Sequence, residues 1–265
     1  MKKFRKNYAD FWHRWLTSNQ GSFLNAPEDR RVSAIPASLS SVFESGFSVF
    51  ELTVAFAVAM SSSSFRHFRQ AACIALLSLI SCLSSIGKNL KTDMTNVQRR
   101  LDQYKGDIGQ RKKFENQLRQ LQAQEKAYSR HLTQLFKSCV LYTYTIYILL
   151  LDGCSVFLNR SRDVDEEIRR ECIVGLGQWI MTFPDFFMNS NYLRYLGWFL
   201  SDKSTIVRQA TVNAVARLLA IPNAFESLRQ FSERHKSRIL EMALYEADLH
   251  VRKEVIHGIV VPFSV

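Results

Sequence analysis

The chain has 265 residues, of which 47% are hydrophobic, with only ten glycines and five prolines. This composition is enough for a sizeable core and, with apolar residues at steps of three and four, indicates an all-α protein. The net charge of +11 lies in the N-terminal half, because residues 64–137 carry fourteen Lys and Arg against five Asp and Glu, whereas residues 138–265 carry fourteen of each. A polyanion such as DNA is a natural partner of that half, although a solvated basic face explains the charge equally well.

The cysteines and the opening residues indicate an intracellular protein. None of the five cysteines belongs to a C-x-x-C pair. The opening MKKFRKNYADFWHRW has positive charge but lacks the apolar segment of a signal peptide. We therefore expect reduced thiols.

Residues 1–63 are expected to hold a basic N-terminal helix and early repeat helices. Residues 2–16 place aromatic side chains at helical spacing, which predicts a helix that packs on a neighbour. Residues 17–40 contain glycine, two prolines and many serines, and they indicate a loop with at most a short helix. Residues 41–60 are apolar but contain two glutamates, which favours a buried helix over a membrane span.

Residues 64–138 are predicted to form a long helical hairpin arm. Two apolar seams, 64–105 and 110–138, meet at Gly106 and Gly109. Sustained heptad spacing with charged flanks predicts a coiled coil. We favour an antiparallel hairpin, because a short turn makes the return partner local; one kinked helix that dimerises is the alternative.

Residues 139–155 fit neither neighbouring region. This segment is apolar, has no charge before Asp152 and lacks amphipathic helical spacing. Its length is short for a membrane span.

A repeated motif organises the remainder, residues 156–265. A β-branched residue followed by arginine recurs at Arg169, Arg208 and Arg252, each time near an acidic residue at a helix start. Self-similarity at about 40–47 residues is typical of HEAT or armadillo repeats, so we predict a HEAT-repeat-like helical solenoid. The acidic residue suits a helix N-terminus, and the arginine can reach an acidic group on an adjacent repeat.

Helix boundaries follow from the same pattern. A first repeat hairpin is expected at 163–183 and 189–201. The second begins at 204–220 and continues with helices near 224–231 and 234–246. A third, at 249–261, is expected to be truncated at the C-terminus.

Several segments together resemble the stromalin (STAG) family of cohesin subunits. They are KKFRKNYADF, SSSSFRHFR and DMTNVQRR in the N-terminal half, and RDVDEEIRRECIVGLGQWI, FMNSNYLRYLGWFLSDK and FSERHKSRI in the C-terminal half. The resemblance covers residues 1–16, 61–138 and 156–257, and the last range is similar to the stromalin conserved domain. It implies a bent HEAT-repeat scaffold in the nucleus, associated with chromatin, that supports sister chromatid cohesion.

The resemblance also implies partners. They are double-stranded DNA, cohesin regulatory proteins and the kleisin subunit, the last mostly through repeats beyond this chain. A membrane, a small-molecule substrate and a cofactor are not expected.

The family's sites map onto particular residues here. Its partner-docking cleft matches Arg162, Tyr192, Arg194, Trp198 and Arg234, with His235 where the family has phenylalanine. An exposed tryptophan beside an arginine, as at Trp198 and Arg194, is also typical of the residues that contribute most of the binding energy at protein interfaces. A tryptophan at this spacing can equally belong to the core between repeats. For DNA binding, the matching basic residues are Lys2, Lys3, Arg5, Lys6, Arg66 and Arg69.

An enzyme and a protein–protein adaptor are the two other classes of function to compare with a cohesin subunit. The chain has scattered histidines and none of the common nucleophile, phosphate-binding or metal-binding motifs, so we expect no catalytic residue, no metal ligand and no enzyme. A HEAT-repeat adaptor for protein–protein interaction without a DNA role is the alternative function. Salt-dependent binding to duplex DNA separates it from a cohesin subunit.

Compared with the family, residues 139–155 are an insertion, because the flanking segments LFKS and VFLN are almost adjacent in family members. Three explanations stay open: a membrane-touching insert, a buried extra element, or translated intron sequence. We favour the last, because the flanks rejoin cleanly and an exposed apolar loop is an aggregation hazard. A mature transcript that retains these codons would exclude it.

Overall fold

A computed structural model describes residues 2–24, 49–104, 106, 108–137, 156–219, 221 and 225–260, and every regular element within them is helical. The chain divides into two compact units, Met1–Leu158 and Asn159–Val265. The first unit contains α1 (Lys2–Leu24), α2 (Val49–Ser61), α3 (Arg66–Gln103) and α4 (Ile108–Lys137), and α5 (Val156–Ser161) lies at the boundary. The insert at 139–155 lies outside the described residues.

Helix α3 forms the core of the first unit. Its apolar face, with Leu76, Leu79 and Leu83, is fully buried because α1, α2 and α4 all pack against it. Leu16 of α1 is buried there as well. By length and composition alone α3 could cross a membrane, but 67% of its apolar window is buried inside the protein, as in the core helix of a globular unit.

Helices α3 and α4 form the antiparallel hairpin that the two apolar seams predict, and this prediction is confirmed. The chain reverses between Gln103 and Ile108, where the rings of Tyr104 and Phe114 meet edge to face with centroids 5.8 Å apart. Tyr128 on α4 is completely buried in the same seam. The hairpin closes within one chain, so the apolar stripes need no second copy.

The second unit is a two-layered stack of helices. Helices α6, α9 and α11 lie side by side in one layer, and α8 and α10 form the other. This is the predicted HEAT-like solenoid, and the expected all-α fold is confirmed. Its elements are α6 (Glu166–Thr182), α7 (Pro184–Phe187), α8 (Ser190–Phe199), α9 (Thr205–Leu219), α10 (Phe225–Tyr245), α11 (Leu249–Val255) and a π-helical turn, Ile256–Val260.

Two of the three repeated arginines, Arg169 and Arg208, join one repeat to the next, as predicted. Arg252 instead donates to the backbone carbonyl of Glu246, six residues earlier. Arg169 donates from Nε and Nη2 to the two carboxylate oxygens of Asp202, both at 2.8 Å. Arg208 pairs in the same way with Glu246, at 2.9 and 2.6 Å. These bidentate pairs are largely buried, so their geometry fixes the register between neighbouring repeats. We call them the arginine ladder.

The ladder arginines also hold the loop that precedes their own helix. Arg169 Nη1 donates to the carbonyl oxygens of Asp163 and Val164, which lie six and five residues earlier. Arg208 Nη1 repeats the pattern on Asp202 and Lys203. Each arginine therefore satisfies backbone acceptors of one repeat and a carboxylate of the next.

In the first unit, Arg69 makes the same loop contacts as the ladder arginines. Its Nη1 donates to the carbonyl oxygens of Ser63 at 3.1 Å and Ser64 at 2.7 Å, again six and five residues earlier. The start of α3 is thus built like the start of a HEAT repeat.

Acidic residues cap helices, as the sequence predicts. Asp165 Oδ1 accepts from the Glu167 N–H at the start of α6, and Asp248 Oδ1 accepts from the His250 N–H at the start of α11. Such caps satisfy backbone donors that a helix leaves unpaired at its first turn.

Two helix predictions are wrong in their boundaries. Residues 225–245 form the single helix α10 instead of two, because no Gly or Pro interrupts them and the Ser232 hydroxyl bonds back to the Leu228 carbonyl within the helix. The loop predicted from residue 17 onward is wrong for residues 17–24, which belong to α1. The rest of that loop, from 25 to 40, and residues 41–48 of the next predicted helix lie outside the described part.

Replacing Glu246 tests the ladder through its pH dependence. Its hydrogen bond with Arg208 holds the pKa of Glu246 below its ordinary value. The stabilisation is therefore present above the unfolded-state pKa of about 4.3 and is lost as pH falls through the folded pKa. We expect Glu246→Gln to lower the free energy of unfolding at neutral pH by about 2–3 kcal/mol, because hydrogen bonds to charged groups contribute about that much.

Chemical denaturation at neutral and at acidic pH measures this effect, which should shrink in acid. Glu233→Gln is the control, because the Glu233 side chain is 70% exposed and its pair with Arg229 spans 3.4 Å. An exposed pair of this kind contributes at most about 1 kcal/mol. A loss of stability for Glu246→Gln that is independent of pH would contradict the role given to its charge.

Candidate functional site

Trp198 lies at the C-terminal end of α8 with 51% of its surface exposed. Two guanidinium groups lie near its ring, that of Arg194 with its Cζ at 5.5 Å from the ring centroid and that of Arg162 at 6.0 Å. Both distances are within the range of a cation–π interaction. An exposed tryptophan beside two cations is an arrangement suited to binding rather than to core packing.

Tyr195 completes this group. Its ring meets Trp198 edge to face at 5.2 Å, and its hydroxyl accepts a hydrogen bond from Arg194 Nη2 at 3.1 Å. Neither Arg162 nor Arg194 forms an ion pair with a carboxylate of the described residues, so the group keeps its positive charge. We call Arg162, Arg194, Tyr195 and Trp198 the Trp198 clamp.

The arginine ladder positions the clamp. Arg162 belongs to the loop before α6, whose carbonyl groups accept from Arg169. Trp198 belongs to α8, and Asp202 follows that helix directly. The bidentate pair between Arg169 and Asp202 therefore ties the loop that carries Arg162 to the end of the helix that carries Trp198.

A small groove continues from the clamp between α8 and α10. Arg194 and Arg234 both line it, together with the ring of His235. Arg238 donates to the Leu200 carbonyl and joins α10 to the end of α8.

His235 fills the space that the absent side chain of Gly197 leaves on α8. Its ring packs against Phe231 with centroids 4.8 Å apart. Burial and, to a smaller extent, the charge of Arg234 lower the pKa of His235, so the ring is neutral over a wider pH range than an exposed histidine.

The structure separates Tyr192 from the other docking candidates. Its side chain is only 5% exposed and packs against Phe186 and Phe187, with ring centroids 5.7 and 5.0 Å away. Burial raises the pKa of Tyr192 to about 12. Tyr192 therefore supports α8 from the core, while Arg162, Arg194 and Trp198 lie at the surface.

The DNA-binding candidates lie in the first unit. Lys3 and Lys6, three residues apart on α1, are exposed and share one face of the helix. Arg66 is exposed at the first residue of α3, whereas Arg69 holds the preceding loop. The side chains of Lys2 and Arg5 lie outside the described part of the structure.

Sequence reasoning missed Phe231, which lines the groove beside the clamp, and Arg238, which joins α10 to the end of α8. The available signal was their spacing: Phe231, His235 and Arg238 recur at steps of four and three, which places them on one face of a helix. Among the described residues, no three His, Cys, Asp or Glu side chains come together as a possible metal site.

The fold defines a helical-repeat solenoid protein. Its N-terminal part matches the model of the STAG domain over residues 1–127, and its C-terminal part matches the model of the stromalin conservative domain over residues 162–236. The chain belongs to the stromalin (STAG) family. The second match contains the whole Trp198 clamp.

Curated relatives agree with this assignment, and a solved structure agrees with the fold. The cohesin subunit psc3 of Schizosaccharomyces pombe is 33% identical over 208 residues, covering 77% of this chain and 20% of that protein. Sister-chromatid cohesion protein 3 of Arabidopsis thaliana is 27% identical over 248 residues, covering 92% and 19%. The structure of the cohesin subunit Scc3 from Z. rouxii shares the fold, with a TM-score of 0.73 at 23% identity over 98% of this chain and 26% of that one. The chain spans about a fifth of the length of these curated relatives.

A stability comparison tests whether Trp198 is a surface residue. We expect Trp198→Ala to change the free energy of unfolding by about 1 kcal/mol or less, because half of its surface is already in water. The control is Trp179→Ala in α6, since Trp179 is 0% exposed and its loss should cost about 3–5 kcal/mol. Denaturant titration measures both, and equal losses would place Trp198 in the core.

Proposed function

We propose that this chain is part of a cohesin subunit that supports sister chromatid cohesion as a non-catalytic scaffold. The observation that carries the proposal is the pair of family matches, in which the second contains an exposed tryptophan beside two arginines that have no carboxylate partner among the described residues. Relatives named as cohesin subunits occur in Schizosaccharomyces pombe and Xenopus laevis, and the Arabidopsis thaliana relative is named sister-chromatid cohesion protein 3. A role at chromosomes in the nucleus follows from the same proposal.

The Trp198 clamp is proposed to dock regulatory proteins. Trp198 offers an aromatic face, and Arg162 and Arg194 offer two positive charges close to it. A peptide with an apolar or aromatic side chain and neighbouring carboxylates is complementary to this surface. Arg234, in the adjoining groove, extends the positive charge.

The first unit is proposed to bind double-stranded DNA. Lys3 and Lys6 present two exposed cations on one face of α1. Lys2, Arg5 and Arg66 belong to the same proposed surface on the grounds of sequence. Arg69 contributes indirectly, because its guanidinium orders the loop next to Arg66. The kleisin subunit is a proposed partner of the whole protein rather than of this chain alone.

A HEAT-repeat adaptor without a DNA role is the competing function. The clamp and the solenoid suit it equally well, since neither requires nucleic acid. The net charge separates the two proposals: an adaptor has no need of nine more basic than acidic residues between 64 and 137.

Charge reversal on α1 tests the DNA role. We expect the purified chain to bind a random-sequence duplex with an affinity that falls steeply with salt, because each phosphate contact releases counterions and adds about 0.9 to the slope of log K against log salt. Changing Lys2, Lys3, Arg5 and Lys6 to Glu should lower both the affinity and the slope in a fluorescence anisotropy titration. Absence of binding by the parent would favour the adaptor, and an unchanged slope would remove α1 from the site.

A further inference from the structure

The outward face of α4, away from its partner α3, carries an uninterrupted basic stripe. Lys112, Arg119 and Lys126 recur every seven residues and therefore lie on one line along the helix. At 1.5 Å per residue the line is about 21 Å long. The seam that faces α3 is formed by other positions, including Phe114 and Tyr128.

All the positions along this line are exposed, and none of them is acidic. Between the three cations lie Asn116 and Ala123, both exposed. None of the three cations pairs with a carboxylate of the described residues, and the nearby Glu115 pairs with Arg111 at 3.4 Å. An ordinary solvated helix surface mixes both signs of charge and forms pairs between turns. We call Lys112, Arg119 and Lys126 the α4 stripe.

We propose that the α4 stripe is a second contact surface for the phosphate backbone of duplex DNA. A straight row of cations matches the high linear charge density of a duplex, which carries one negative charge per about 1.7 Å of its axis. The stripe has no base-reading pattern, so the contact is independent of sequence. The proposal rests on the DNA role proposed above and adds a surface on a different helix from α1.

Other polyanionic partners fit the stripe less well. Proteins that hold single strands place aromatic side chains among the cations so that bases can stack, and the outward face between residues 112 and 126 has none. An interfacial membrane helix needs a free apolar face, but the apolar face of α4 is turned toward α3, with Tyr128 and Leu132 completely buried. A rigid cationic row without apolar or aromatic side chains favours a phosphate backbone.

The test compares two variants of the whole chain that carry the same net charge. The first removes the stripe with Lys112→Gln, Arg119→Gln and Lys126→Gln. The second keeps the stripe and adds three acids elsewhere on the hairpin, at exposed positions on other faces, with Asn96→Glu, Gln117→Glu and Gln120→Glu. A third variant, Lys112→Arg, Arg119→Lys and Lys126→Arg, preserves the stripe's charge. The α1 charge-reversal variant is measured beside them.

Fluorescence anisotropy with a random-sequence duplex over a series of salt concentrations is the readout. We expect removal of the stripe to lower the slope of log K against log salt by up to about 2.7, that is about 0.9 for each of three contacts. The charge-matched and charge-preserving variants should keep the parent slope. Circular dichroism checks that all variants retain their helix content.

Each other outcome overturns the proposal in a recognisable way. Equal losses in the first and second variants would show that only the overall charge matters. The stripe variant could keep the salt slope of the unmodified chain while the α1 variant shows a reduced slope. This result would reject the stripe and leave the proposed DNA role intact. A parent that does not bind the duplex at low salt would reject both.

Discussion

The bidentate pair between Arg169 and Asp202 is the interaction on which the second unit depends. A helical repeat cannot bury its apolar face alone, so the solenoid is stable only if neighbouring repeats stack in one register. Apolar packing is largely non-directional and allows several registers. The forked guanidinium of Arg169 is compatible with only one register. It must donate at the same time to two backbone carbonyls of its own loop and to a carboxylate of the next repeat. Buried ion pairs often add little net stability, and register is the use that is best supported for them.

The clamp follows from this constraint. Arg162 and Trp198 lie on different elements, and their guanidinium and ring approach within 6.0 Å only because the ladder holds the loop against the end of α8. Two arginines near one ring, neither paired with a carboxylate of the described residues, repel each other, and a bound anion would relieve that repulsion. The affinity for an acidic ligand that we propose for the clamp and its need for a rigid frame therefore have the same cause.

Much of this architecture is readable from the sequence, and the failures have physical reasons. The ladder was predictable because an arginine recurs at the same place in successive repeats, and Arg169 and Arg208 share the same partner geometry. The hairpin was predictable because two apolar seams met at glycines. The burial of Tyr192 was not predictable, because a helix with apolar residues on two sides does not reveal which side faces the core. Arg69 was matched as a basic surface residue, and only the structure shows that its guanidinium donates to the carbonyls of the loop before α3.

A double-mutant cycle on Arg169 and Asp202 tests the central constraint most directly. Arg169→Met removes the cation, and Asp202→Asn removes the charge but keeps an oxygen that can accept from the Ser204 N–H. Each single change should cost about 3 kcal/mol of unfolding free energy, because it leaves a buried charge without its partner. The double variant should cost little more than either single one, which gives a coupling of about 2–3 kcal/mol. Additive losses, with a coupling below about 0.5 kcal/mol, would show that the pair does not hold the repeats in register.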